Sequence, residues 1–322
     1  MRETKMNTKS ILSVAILSSL TTSAFAFDSS RISGELILAT GYVSTNSNLS
    51  TESDAVLKNR NNKGSHNDDV IVMPLGNIGY QLGEHRNQKV YLGTSRDDLA
   101  VGDSAFEIGY QYNMRNGTQL DIAYLPTVVS GEVWKDPYLE GRRSKTDVEG
   151  NAYRFQANNI VGSGFSLDMA FATTEVDNEQ IKATELARDS DMYLLKGGYI
   201  AHFTPNMGLS TSLGYLHNDA DGKAETFDQY EIEMTYFVTH GAHKVALTSS
   251  YAYRDFDGEN SIYGKTRSDH KHKFFAAYEY ANIAGLENWN LVSFAGVNYN
   301  DSNINFYKSE DYLASVGVSY KF

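Results

Sequence analysis

A chain of 322 residues with no cysteine, 22 tyrosines, 15 phenylalanines and a formal charge of −12 excludes disulfide staples, thiolate metal sites and thiol nucleophiles. Its acidity also disfavours nucleic acid, whose phosphates require basic patches. Past the N-terminus no apolar run approaches the eighteen residues or so of a membrane helix, so a membrane can be crossed only by alternating strands.

The chain opens with Arg2, Lys5 and Lys9, an apolar core from Ile11 to Leu20, and the small-x-small triplet Ala24-Phe25-Ala26. This is the pattern of a cleaved secretory signal peptide over residues 1–26, with Met6 as an alternative start. Its removal takes away three cations and one anion and leaves residues 27–322 at −14. No linker divides them, and a single domain is expected.

From Gly34 to Tyr42, Leu36, Leu38, Thr40 and Tyr42 alternate with Glu35, Ile37, Ala39 and Gly41. Period two predicts a strand. Ser44 to Asp69 reads as a long polar loop. The next strand, Val70 to Leu82, contains Pro74, which implies a bulge or a later start. A short turn leads to a weak strand at Lys89–Gly93. Phe106–Asn113 and Leu120–Tyr124 form a hairpin about an Asn116-Gly117 turn. Pro126 to Val148 is a long segment too polar to face lipid.

Tyr153–Asn158 and Phe165–Ala172 pair across Gly162-Ser163-Gly164. The composition of Asn178–Asp189 predicts a short helix in the loop that follows. Tyr193–Phe203, Leu209–Tyr215, Tyr230–Val238, Val245–Arg254, Lys273–Tyr280, Trp289–Tyr299 and Tyr312–Phe322 are further alternating strands. Polar loops at Asn218–Ala224, Asp255–Asp269 and Asp301–Asp311 separate some of them.

The last strand, YLASVGVSYKF, is apolar at Ala314, Val316 and Val318 and aromatic at Tyr312, Tyr320 and Phe322 on one face, and small or polar on the other. About fourteen such strands, joined alternately by long loops and short turns, predict an all-β transmembrane antiparallel up-and-down β-barrel of the outer-membrane type. Twelve strands is the alternative if Lys89–Gly93 and a neighbour do not span. Rings lie at both ends of the outward face: Tyr42, Tyr124, Phe171 and Tyr215 beside long loops, and Tyr112, Phe165, Trp289 and Phe322 beside turns. Two aromatic girdles are expected, with lipid and lipopolysaccharide as surroundings. A one-residue slip would turn Arg154, Lys196 or Lys244 toward lipid, at about 2–4 kcal/mol each near the midplane.

Three stretches, Glu132-Val133-Trp134-Lys135-Asp136-Pro137-Tyr138, Ser261-Ile262-Tyr263-Gly264-Lys265-Thr266-Arg267 and Asp301-Ser302-Asn303-Ile304-Asn305-Phe306-Tyr307, resemble blocks of an uncharacterised family of Gram-negative outer-membrane proteins, domain of unknown function 2860. The resemblance implies a barrel and brings no activity. The terminal Phe322 likewise resembles the signature read by the barrel assembly machinery.

The inward faces carry Glu35, Glu107, Asp121, Arg154, Asp168, Lys196, Glu231, Glu233, Lys244, Arg254, Lys273 and Glu279. A lumen lined by both signs suits weakly selective passage of small hydrophilic solutes, and these twelve are the pore-lining candidates. The loop with Trp134, Lys135, Asp136, Tyr138, Arg142 and Arg143 is the candidate inward constriction. A non-conducting barrel that meets a surface partner is the alternative. An outer-membrane hydrolase built on His217 with Asp219 and Asp221, or on His270 and His272, lacks a nucleophile motif. Asn218-Asp219-Ala220-Asp221-Gly222 has oxygen ligands without the spacing of a calcium loop and reads as a turn. No metal and no cofactor is expected.

Overall fold

The computed structural model describes residues 29–322 apart from 102, 104, 128–130 and 182–183. The signal-peptide segment lies outside the described residues. Fourteen strands close into one antiparallel sheet: β1 Ile32–Thr45, β2 Asn67–Leu82, β3 Gln88–Thr94, β4 Phe106–Asn113, β5 Gln119–Pro126, β6 Lys145–Asn158, β7 Phe165–Val176, β8 Ser190–Thr204, β9 Met207–Ala220, β10 Phe227–His240, β11 His243–Asn260, β12 Lys265–Tyr280, β13 Trp289–Ser302 and β14 Ser309–Lys321. Each pairs with the next, and β14 returns to β1 in the register Glu35↔Lys321 to Thr45↔Asp311. Phe322 and Gly34 exchange backbone hydrogen bonds of 3.1 and 2.9 Å at the foot of that seam.

Alternation decides which side of the wall each residue occupies. On β1, Leu36 and Leu38 are 52% and 58% exposed on the outer face while Ile37 and Ala39 are buried. The two girdles form as cross-strand ring pairs. Tyr124–Tyr153, Phe171–Tyr193 and Tyr215–Tyr230 lie toward the long loops, with centroids 5.2–5.4 Å apart. Phe165–Tyr199 and Trp289–Tyr320, at 4.8 and 5.0 Å, lie toward the turns. Such pairs add about 0.5–1.5 kcal/mol beyond their burial.

The expected count of fourteen holds, with Lys89–Gly93 inside wall strand β3. Three local expectations are corrected. Pro74 causes neither a bulge nor a late start, because β2 runs unbroken with Leu38 opposite Pro74. It is tolerated because β3 pairs only with Asn77–Leu82, so at Pro74 the sheet has a neighbour on one side alone. The described residues of 178–189, which leave out 182–183, form turns rather than a helix. The described α-helix, α1, is Arg96–Val101, between β3 and β4. The loop expected over Asp255–Asp269 shrinks to 261–264, since β11 and β12 continue pairing to Asn260↔Lys265 beyond the girdle.

Six of the seven outer loops meet over the barrel. Leu57, Tyr138, Leu186, Ala224, Ile304, Phe306 and Tyr307 form one buried cluster, with Ile262 and Tyr263 packed against it. These loops hold a small hydrophobic core of their own. Of the seventh, 95–105, the described residues enter the lumen instead.

Candidate functional site

Segment 95–105 is held inside the barrel by three side chains. Leu99 is buried in an apolar patch of the inner wall made by Ile37, Ala39, Met73, Leu75, Val292 and Phe294. Asp98 accepts from Arg154, with Nη1 at 2.8 Å from Oδ2 and Nη2 at 3.3 Å from Oδ1. Asp103 accepts from Lys273 at 3.2 Å. Strands β1, β2, β6, β12 and β13 are thus tied to one segment that crosses the lumen. An arginine is suited to this, because its planar fork serves two carboxylates at once.

All twelve pore-lining candidates lie on inward faces, and most belong to ion-pair networks. Arg154 also grips Asp168, at 2.6 Å from Nη2, and Gln156 donates to the same carboxylate at 3.1 Å. Tyr91 donates to Asp121 at 2.6 Å. Glu233 receives Lys196 at 2.9 Å and Lys273 at 3.3 Å. Glu279 receives Lys244 at 3.1 Å and Lys321 at 2.7 Å, and Lys321 lies 3.8 Å from Glu35. Toward the outer end, Arg254 donates twice to Gln229, whose amide donates to Glu231 at 3.2 Å. Glu107 is buried beside this belt. Charges of both signs thus line the interior, and many of them are paired across it.

The lumen is divided by the segment. On the turn side, Glu35, Asn77, Lys89, Glu107, Asp121 and Gln156 help line a cavity of about 640 Å³. On the loop side, Glu231, Ser250, Arg254, Lys271 and Asn300 line one of about 440 Å³.

The loop expected to constrict the lumen belongs to the cap instead. Trp134 is buried and donates to Ser50 at 3.1 Å, and Arg143 stacks over it at 4.2 Å while donating to the carbonyls of Asn48 and Asp54. Burial pulls the Arg143 guanidinium below its ordinary pKa. Tyr138 contacts Tyr307 at 2.6 Å, hydroxyl to hydroxyl, and donates to Glu225 at 3.0 Å. Burial pushes the Tyr138 phenol and the Glu225 carboxyl up. Lys135 joins the sheet edge through its backbone, Asp136 accepts from the Tyr138 amide, and Arg142 is exposed beside Val56. Sequence periodicity could not find α1, because six residues carry too few turns to show a stripe.

The histidines weighed for hydrolysis face outward in the girdle. His217 meets Asp228 at 2.8 Å, and His270 meets the Tyr251 hydroxyl at 2.8 Å. Asp221 donates its amide to Asp189 in a turn. Among the described residues no three His, Asp or Glu side chains are grouped to hold a metal ion.

The model of a family described as "Protein of unknown function (DUF2860)" matches residues 32–321. No curated protein matches the chain. Among solved structures it is similar to the outer membrane channel DcaP of Acinetobacter baumannii, at 10% identity and TM-score 0.47, over 91% of this chain and 98% of that one. It is also similar to an anion-selective porin from Comamonas acidovorans, at 12% and 0.44, over 90% and 99%. A third is the CymD monoaromatic hydrocarbon channel, at 8% and 0.46, over 90% and 88%.

Proposed function

The chain belongs to the DUF2860 family, whose function is unknown, and from its lumen we propose that it is an outer-membrane channel for small hydrophilic solutes, here in a closed state. One observation carries this reading. Two polar cavities, about 640 and 440 Å³, lie end to end on either side of a single segment held by two ion pairs and one leucine. Displacing residues 95–105 would join them without moving a strand. The mixed lining favours weak ion selectivity. We place the barrel in the outer membrane, delivered by a cleaved leader and inserted by the assembly machinery through β14.

The loop cap favours a second reading, a non-conducting barrel that presents its fused loops to a surface partner. Conductance of the refolded protein in a planar bilayer separates the two. Rare, discrete openings of low selectivity support the channel. Silence in the wild type and in variants freed of the segment's anchors refutes it.

A further inference from the structure

Near the loops, two inward cations are left over by the ion-pair networks. Lys271 of β12 lies in the row Glu231↔Ala252↔Lys271↔Asn300, which crosses β10 to β13. Arg254 of β11 stands opposite Asp269 in the next inward row toward the loops. The two cations are therefore diagonal neighbours on one face, about 7–8 Å apart and within mutual reach of long side chains. Both are half-buried. Lys271 makes no hydrogen bond or ion pair among the described residues. Arg254 donates from Nε at 3.1 Å and from Nη2 at 2.7 Å to one neutral acceptor, the Gln229 amide oxygen, and stacks on the Phe227 ring at 3.9 Å. Its Nη1 has no acceptor among the described residues.

The neighbouring carboxylates are already committed. Asp269 takes both Nε and Nη2 of Arg267. Asp103 accepts from Lys273, and Glu233 from Lys196 and Lys273. Glu231, two strands from Lys271 with the short Ala252 between them, is held by the Gln229 amide at 3.2 Å. On the other side Asp311 accepts from Thr45. Two like charges side by side and partly withdrawn from water are costly until an anion bridges them. Both line the loop-side cavity of about 440 Å³, a size ordinary for small-molecule sites, which run from about 300 to 1,000 Å³. The lining adds Ser250, Asn298, Asn300 and Ser309 and holds one aliphatic side chain, Leu49. Such a surface suits a hydroxylated solute.

We propose that Arg254 and Lys271 form a binding site for a small hydroxylated monocarboxylate in the loop-side cavity. Its carboxylate bridges the Arg254 Nη1 and the Lys271 ammonium through charge-assisted hydrogen bonds. Because Gln229 and Phe227 already hold the guanidinium, little ordering is needed on binding. The hydroxyls face the serines and asparagines. Glu231 and Asp311 flank the site and disfavour a second negative charge on the solute. As a station on a solute path the site rests on the channel reading above, whereas the binding itself requires only the closed barrel.

Equilibrium dialysis of radiolabelled solutes against refolded, heat-modifiable protein in detergent tests this. Three six-carbon probes are compared: gluconate, sorbitol with an alcohol in place of the carboxylate, and glucarate with a carboxylate at each end. Gluconate is expected to bind at least about tenfold tighter than sorbitol, and tighter than glucarate. Lys271→Met and Arg254→Gln should each weaken gluconate by about tenfold or more, the loss of one charge-assisted hydrogen bond. Lys265→Met, which removes an exposed cation at the loop end of the same strand, should leave gluconate binding unchanged. Gluconate held no tighter than sorbitol overturns the site, and that comparison needs no variant to refold. Glucarate bound as well as gluconate overturns the single charge. Gluconate binding that survives both substitutions, or that Lys265→Met weakens as much as Lys271→Met, overturns the assignment to this pair. A silent bilayer alongside gluconate binding refutes the channel and keeps the site, while conduction without gluconate binding does the reverse.

Discussion

Freeing segment 95–105 should open the axis, and the cleanest single change is Asp98→Asn. It removes one arm of the Arg154 fork while Asp168 still neutralises the guanidinium, so no buried charge is orphaned. The Arg154 and Asp98 side chains are 17% and 21% exposed, so the pair is only partly screened, and hydrogen bonds to charged groups contribute about 1.5–3 kcal/mol. The loss is offset because Glu107 and Asp121 face the same region and one carboxylate fewer relieves repulsion. A net of about 1.4 kcal/mol remains, or about tenfold in the ratio of displaced to docked segment. Leu99→Ala adds about 2 kcal/mol, the lower end for a buried leucine because the lumen can hydrate the space left behind. The two anchors sit on one short helix and need not add fully, but the double variant should raise open probability by about a hundredfold or more. Single-channel recording in a planar bilayer reads this. A double variant that refolds, shows heat-modifiable migration and conducts no more than the wild type would refute the gate.

The cap should respond to change separately from the barrel. Tyr138→Phe loses the contacts with Tyr307 and Glu225 in a buried site, and should weaken loop protection against protease by about 1–3 kcal/mol without changing barrel heat-modifiability. Glu225 has its folded-state pKa raised by burial, so the stability it contributes is full below about 4.5 and is lost as pH rises through the folded value. Hydrogen exchange of the loop amides should therefore slow on acidification, and Glu225→Gln should flatten that part of the profile. Deleting Phe322 removes the two backbone bonds to Gly34 that complete the β14–β1 seam. It should lower refolding yield in detergent and insertion by the assembly machinery, measured as the heat-modifiable fraction.

Much of the wall was legible from residues alone. Tyr230, Ile232 and Met234 against Gln229, Glu231 and Glu233 leave only one facing that keeps three polar groups out of lipid, and the structure adopts it. The loops were not legible in this way. Trp134, Tyr138 and Arg143 look like a constriction because they join rings to charge. Tyr138 is buried against Phe306 and Tyr307, some 170 residues later, and Trp134 and Arg143 are held by Asn48, Ser50 and Asp54, some 85–95 residues earlier, which no local period encodes. The strand ends beyond the girdle were also hidden, since Asp255 to Asn260 carries a single apolar residue, Phe256, which packs on Phe227 of the neighbouring strand.

The inner face held a signal that strict alternation passes over. A wet lumen predicts small or polar residues inward, yet Ile37, Ile71, Met73, Leu75, Val292 and Phe294 all face in, on β1, β2 and β13. Each looks like tolerable noise within its own strand. The sheet brings β1 between β2 and β14, with β13 next, so all but Ile71 gather into one patch. An apolar patch facing water needs a cover, and Leu99 supplies it for the lower part. The upper part, around Ile71, lines a chamber of about 450 Å³ together with Val43, Phe275 and Leu313. The inward apolar residues thus dock the segment that blocks the axis. Removing that apolar character at Leu75, which packs by Leu99, should loosen the axial gate, read as a rise in open probability in a planar bilayer.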